Sequence, residues 1–410
     1  MSFWSDPVTF IAQWMREVLL GWGVMESWVQ AISFAIGALV LVIAPLLVTI
    51  FLIVFERKFI GRVQDRPGPN RVGPFGIFQT MADMLKIFTK EYITPAGVDR
   101  VLYELAPILA VAAVIMVYAV VPLGSTMVGS PVNVGVLYLL AVGGLGELGI
   151  ILAGLGSNNK FALLGAFRAM AQLLSYEVPL VVSLLVPVMF AGSMGLTDIV
   201  AAQDVWFLVL APVPALLFFI SSIAENGRAP FDLLEADSEI VAGFNIEYSG
   251  LKFGFFFVGD FLHSFTISLV FATLFMGGWR GPGAETYPIL GLVYLVLKSL
   301  VCYLSILMLR ASLPRLRIDQ LLDYNWKELT PISLVTLMVL AVVYKVTQTS
   351  GLWLQAGVLF VTNLVVWFGI QWVLTRRRRQ RTRRAIVSHP RPVAMAEKVT
   401  SQPDAGGTGA

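Results

Sequence analysis

The feature that most limits this chain is a series of apolar runs too long for a soluble protein to hide. They fall at 31–55, 102–122, 135–155, 172–192, 205–223, 253–276, 287–309, 331–348 and 352–374, each at least 18 residues long. That is the length a helix needs to cross a hydrocarbon layer of about 30 Å. Only 13% of residues are charged, against roughly 25% in soluble domains, and the mean hydropathy is +0.79. The expected fold is all-α: a polytopic transmembrane helix bundle of about nine spans.

The basic residues sort between the two sides. Twenty-five lysines and arginines fall in the connections after odd-numbered spans and in the C-terminal tail, three (Arg16, Arg280, Lys345) fall on the other side, and Lys298 lies inside the seventh span. By the positive-inside rule the N-terminus is outside and the C-terminus is cytoplasmic, so a cell inner membrane is the expected location. An odd number of spans is then required, and nine satisfies it.

Three regions follow. Residues 1–29 are amphipathic, with Ile11, Trp14, Met15, Val18, Leu19 and Trp22 at helical spacing and four tryptophans suited to a membrane interface. Residues 30–375 hold the spans. Residues 376–410 begin with a run of arginines, read as a lipid-headgroup anchor rather than a nucleic-acid site, and then become polar and disorder-prone. No internal repeat is evident, so an inverted-repeat transporter gains no support.

Several chemistries are excluded by residue supply. The one cysteine, Cys302, and the two histidines, His263 and His389, cannot supply a disulfide, an iron–sulfur cluster or a histidine metal cluster. No nucleotide-binding glycine motif is present. The chain is expected to bind no redox cofactor itself.

What remains is charge in unusual places. Between spans one and two, Glu56-Arg57-Lys58 leads into Gly61-Arg62-Val63-Gln64-Asp65-Arg66, then into a segment to Pro74 that carries Arg71 and whose prolines and glycines forbid a helix. Its arginines have Glu56, Asp65 or lipid phosphates as partners. The next stretch, Gly76 to Glu91, is amphipathic and too short to span, so it reads as an interfacial helix. Between spans five and six, Glu225, Asp232, Glu235, Asp237, Glu239 and Glu247 accompany Arg228 and Lys252. Pro230 fits the first turn of a helix. A helix running on from it would stack Asp232, Glu235 and Glu239 on one face, where like charges repel and share protons.

Carboxylates also sit inside spans: Glu147 in span three, Glu177 in span four and Asp260 in span six, with His263 one turn beyond Asp260. A bare charge at the bilayer centre costs about 2.5–3.5 kcal/mol on insertion scales, so such residues face a wet cavity or a partner. Together they read as a proton relay, while His263 is divided between that role and simple pairing with Asp260. Lys298 and Cys302 read as packing and snorkelling groups.

Several long motifs, in order, resemble the H subunit of respiratory complex I, NADH:quinone oxidoreductase. They are Glu56 to Pro74, Ala82 to Glu91, Leu163 to Arg168 with Ser175 to Val178, Ala224 to Asp232, Val241 to Gly250, and Arg310 to Gln320 with Trp326-Lys327. The resemblance covers residues 30 to about 375. It implies a subunit at the joint between membrane and peripheral arms, forming part of the chamber where quinone enters. Its carboxylates would couple quinone reduction to proton pumping. On this basis Glu56, Arg57, Arg62, Arg66, Arg71 and Arg228 would belong to the quinone chamber and its loops. Glu147, Glu177, Glu225, Asp232, Glu235, Asp237, Glu239, Glu247 and Asp260 would belong to proton coupling.

NADH, FMN and iron–sulfur clusters would reside in partner subunits, and quinone would be the substrate. The partners implied are the hydrophilic quinone-site subunits of the peripheral arm, small and antiporter-like membrane-arm subunits, and lipids, with no nucleic acid. The chain departs from the family at Leu234 (usually proline), Asp237 (usually glutamate), Asp260-Phe261 (usually glutamate-tyrosine), and before Trp326, where the usual glycine is missing. Two other readings stand beside this one. The equivalent subunit of a membrane-bound hydrogenase or of a ferredoxin- or F420-linked dehydrogenase would share the fold. A stand-alone proton-coupled transporter would share the buried acids.

Overall fold

The computed structural model describes residues 6–233, 241–348 and 351–388, and among these every regular element is helical. Eight helices are long and apolar enough to cross a membrane, and a shorter apolar helix, Pro212–Glu225, accompanies them. The chain is a multi-pass helical membrane protein.

An amphipathic helix α1 (Pro7–Gly21) comes first. Asp6 caps it, accepting from the Thr9 amide at 3.2 Å, and ties it to the connection after α4 by accepting from Thr126 Oγ1 at 3.0 Å. Helix α2 runs from Glu26 to Val63, two turns beyond the expected end of the first span. Hydropathy cannot see this extension, because Glu56, Arg57, Lys58 and Arg62 are good helix formers but not apolar. The helix stops where the proline- and glycine-rich segment begins. There a Cβ on Gly76, whose φ is +73°, would sit 2.2 Å from the Pro69 carbonyl oxygen. The interfacial helix α3 is shorter than expected, Gln79–Thr89.

The bundle then builds up through α4 (Arg100–Val117), α5 (Gly135–Gly156) and α6 (Lys160–Ala191). Asp99 and Asn159 cap the first and last of these by accepting from backbone amides two residues on. Short helices α7 (Leu196–Ala201) and α8 (Phe207–Leu210) precede α9 (Pro212–Glu225). The expected fifth span, 205–223, is thus broken at Ala211, since Pro212 starts a new helix rather than continuing one. Helices α10 (Gly250–Phe275), α11 (Pro288–Ser312), α12 (Ile318–Tyr324), α13 (Thr330–Thr347) and α14 (Leu352–Ser388) complete the order, with a π-turn at Asn325–Leu329 joining α12 to α13.

The main apolar core lies where α4, α5, α6, α9, α10 and α11 meet, around Leu184, Phe218, Leu262, Phe275 and Leu295. Helices α5 and α6 approach closely because Gly154 faces Ala166: a Cβ on Gly154 would lie 2.3 Å from that of Ala166. Helix α10 is the most enclosed of the long helices. It therefore buries Ser264 completely, while Asp260 and His263 beside it are half-buried.

The segment after α9 differs from expectation. Pro230 does not open a helix. The Phe231 amide donates to Arg228 O at 2.9 Å and the Leu233 amide to Phe231 O at 3.0 Å, while Pro230 O accepts from the Leu316 amide at 3.0 Å. The backbone is committed to a tight turn and to the connection after α11, so no helical ladder starts here. Glu235, Asp237 and Glu239 lie outside the described residues, as does the helical face expected to stack them with Asp232.

Gly76→Ala forces a side chain into a left-handed position already filled by backbone. It is expected to cost about 1–3 kcal/mol and lower the thermal denaturation midpoint of the detergent-purified chain. Gly357→Ala, which meets nothing within 4 Å, should not lower it.

Candidate functional site

Where the charged end of α2 meets α10, α11 and the turn after α9 lies an ion cluster, buried at Glu56 and Arg228 and partly exposed at Asp260 and Arg310. Glu56, from the charged end of α2, is 2% exposed, and Arg228, from the turn after α9, is 4% exposed. Arg228 Nη1 donates to Glu56 Oε2 at 2.8 Å. Its Nε and Nη2 donate to Asp260 Oδ2 at 3.2 and 2.8 Å. The Tyr303 hydroxyl, from α11, donates to Glu56 Oε2 at 2.8 Å, and Arg310 donates to Glu56 Oε1. Two arginines face two carboxylates, so the charge balances.

Burial by itself disfavours the charged guanidinium of Arg228, but the adjacent Asp260 and Glu56 carboxylates outweigh this and hold it protonated, above the ordinary guanidinium range. The Phe261 ring lies 4.5 Å from the Arg228 guanidinium carbon. The shorter aspartate at 260 therefore still reaches its partner, and the neighbouring phenylalanine adds a cation–π contact.

A cavity of about 150 Å³ opens beside this cluster. Its polar lining includes Glu147, Glu225, Asn226, Arg228, Asp232, Asp260, His263 and Arg310. A second cavity of about 80 Å³ is lined by Glu147, Glu177, Glu225 and His263 among others. Glu147, Glu225 and His263 belong to both. Glu225 Oε1 lies 3.6 Å from where a Cβ on Gly143 would be. Gly143 and Glu147 are one turn apart on α5, so Glu225 of α9 lies against the α5 face that carries Glu147. A row of titratable groups thus leads from the ion cluster into the spans. Cavities of this size and polarity can hold water, and carboxylates so placed can exchange protons through it.

The turn bearing Glu225 and Arg228 is clamped. Gln172 Nε2 donates to Ala224 O at 2.7 Å and to Phe231 O at 2.8 Å, and Asn226 Nδ2 donates to Ser264 Oγ at 2.7 Å.

The structure brings together Glu56, Glu147, Glu177, Glu225, Arg228, Asp232 and Asp260, and leaves others apart. Glu247 lines neither cavity: it accepts from Asn159 Nδ2 at 2.7 Å, the residue that caps α6. Arg57 pairs with Asp83 of α3 rather than with Glu56 or Asp65. Arg62, Arg66 and Arg71 are exposed, and Arg66 donates to Gln64. Sequence reasoning missed Tyr303, Arg310 and Asn226. The first two meet Glu56 across more than 240 residues of chain, a distance no local pattern reports. Lys298 donates to Gly278 O at 2.8 Å and Arg280 O at 2.9 Å, a packing role as expected.

These features define a class: a multi-pass helical membrane protein whose interior is built around charge rather than only apolar packing. A family model described as NADH dehydrogenase matches residues 36–341. The chain is 41% identical over 351 residues to the NADH-quinone oxidoreductase H subunit of Dehalococcoides mccartyi (strain CBDB1), covering 86% of this chain and 96% of the relative. It is 46% identical over 329 residues to the H subunit of Geobacillus kaustophilus (strain HTA426), covering 78% and 98%. It is 44% identical over 299 residues to the second of the numbered H subunits, that of Geobacter sulfurreducens (strain ATCC 51573 / DSM 12127 / PCA), covering 70% and 89%. The chain belongs to this family, the H subunits of NADH-quinone oxidoreductases.

Arg228→Met leaves Glu56 and Asp260 without their shared cation. It is expected to destabilise the chain by about 3–5 kcal/mol, measured by denaturation in detergent. Adding Glu56→Gln should recover part of the loss, with a coupling energy of about 0.5–3 kcal/mol.

Proposed function

We propose that this chain is the membrane-arm subunit of a proton-translocating NADH:quinone oxidoreductase, which would form part of the quinone-access chamber and couple quinone reduction to proton translocation. The observation that carries this reading is the pair of adjoining cavities. Arg228 and Asp260 line the first, Glu177 lines the second, and Glu225 and Glu147 line both. Its family membership supports the same reading.

In this account electrons come from NADH through FMN and iron–sulfur clusters held by partner subunits, and this chain holds none of them. Quinone takes up two electrons and two protons at a chamber completed by the hydrophilic peripheral-arm subunits. The change in charge there is felt by the loop residues and by the neutral Glu56–Arg228–Asp260 cluster. In a low-dielectric interior, neighbouring carboxylates share protons rather than titrate independently. A proton gained or lost near Asp260 therefore shifts occupancy at Glu225, Glu147 and Glu177 in turn. That shift passes to neighbouring small and antiporter-like membrane-arm subunits.

The excess of lysine and arginine on one side supports a cytoplasmic position for the charged loops, in a cell whose inner membrane holds the complex, with the N-terminus outside. Arg62, Arg66 and Arg71, exposed on that side, suit contact with lipid phosphates or with the hydrophilic subunits.

Glu147→Gln should lower proton translocation per NADH oxidised in the assembled complex in proteoliposomes by about tenfold or more. NADH oxidation by ferricyanide, which reads the flavin of a partner subunit, should be unchanged. Full proton translocation in this variant would overturn the coupling role.

A further inference from the structure

His263 lies on α10 one turn beyond Asp260, and it lines both cavities. Simple pairing with Asp260 does not account for it. Asp260 Oδ2 is engaged by two nitrogens of Arg228, and the next hydroxyl on the helix, Ser264 Oγ, donates to Asp260 O and accepts from Asn226. Neither ring nitrogen of His263 is bonded to a described residue. The side chain is half-buried and lines both cavities, so water held in them is the partner its ring nitrogens have available. Both have room for water, at about 150 and 80 Å³. Asn226 also lines the first cavity, and its Oδ1 is buried without a hydrogen-bond partner among the described residues. It offers an acceptor to water on that side.

We infer that His263 is a proton-relay residue joining the two cavities, so that protons pass between the cavity lined by Arg228 and Asp260 and the cavity lined by Glu177 through its imidazole. This rests on the coupling reading above. Imidazole suits the position because its two nitrogens point in different directions: one takes a proton from water or a carboxyl in one cavity while the other releases a proton into the next. The ring returns by exchange of tautomers, with no net change in its own proton count. No electron or co-reactant is needed.

The charged groups that line the two cavities with the ring set the charge it meets. They are Asp260 from its own helix, Glu147 from α5, Glu177 from α6, Glu225 from α9, Arg228 and Asp232 from the turn after α9, and Arg310 from α11. The lining supplied by α4, including Ala113 and Val117, is apolar. Glu147 and Glu225 also line both cavities at this junction, and His263 is the one imidazole there among the described residues.

The test uses the assembled complex in proteoliposomes, with His263→Asn and His263→Phe beside Glu147→Gln. Three quantities are read: protons translocated per NADH, the pH profile of the quinone-linked rate, and NADH–ferricyanide activity as a check on assembly. His263→Asn keeps a polar side chain but cannot carry a proton. It should lower proton translocation by about tenfold or more and flatten the pH profile where an imidazole titrates, at unchanged ferricyanide activity. His263→Phe should do the same. Should the phenylalanine variant fail to assemble, the asparagine variant decides alone. Wild-type translocation and an unchanged pH profile in His263→Asn, with Glu147→Gln impaired, would overturn the relay while leaving the coupling reading intact. Wild-type behaviour in both His263→Asn and Glu147→Gln would overturn both.

Discussion

One guanidinium holds the centre of this protein together. Arg228 reaches Glu56 on α2 and Asp260 on α10 from a turn that belongs to neither helix. Glu56 in turn receives Tyr303 and Arg310 from α11. Removing such charges from water is expensive, and their mutual attraction offsets that only when hydrogen bonds satisfy them well. Here each carboxylate receives at least two donors. The cluster thereby ties α2, α10, α11 and the turn at 226–233 to one another.

The cavities depend on these ties. The Gln172 bridge to Ala224 and Phe231, the Asn226–Ser264 bond and the Pro230–Leu316 bond pin the turn on its remaining sides. Glu225, the last residue of α9, is thereby held against the glycine face of α5. Gly143 leaves room for its carboxylate, and Glu147 one turn on continues the row. A polar path inside a membrane needs this rigidity, because a carboxylate free to rotate would swing toward the nearest water instead of toward the next member of the row.

Much of this was legible in the sequence, and the reasons are specific. The nine apolar runs were readable because lipid requires long uninterrupted hydrophobicity. Glu147, Glu177 and Asp260 stood out because charge inside such runs is costly. The end of α2 was not legible, since Glu56-Arg57-Lys58 reads as a loop by hydropathy and as a helix by propensity, and the helix prevailed. Pro230 misled in the other direction: a proline suits the first turn of a helix or a tight turn, and only the distant Leu316 amide decides between them. The partners of Glu56 were invisible for a different reason. Tyr303 and Arg310 carry ordinary residue types for the end of a span, and their meaning comes from a contact that the fold creates. The aspartate at 260 shows the reverse case, because what looked like a shortened carboxylate keeps its bond to Arg228.

Coupling through the cavities requires their carboxylates to change protonation when quinone is reduced. Redox-triggered infrared difference spectroscopy of the assembled complex observes this directly through the carbonyl stretch of protonated carboxylic acids. A band of this kind should appear on quinone reduction in the native complex and be missing in the Glu225→Gln variant. Identical difference spectra in the two would contradict a proton path through the cavity beside Arg228.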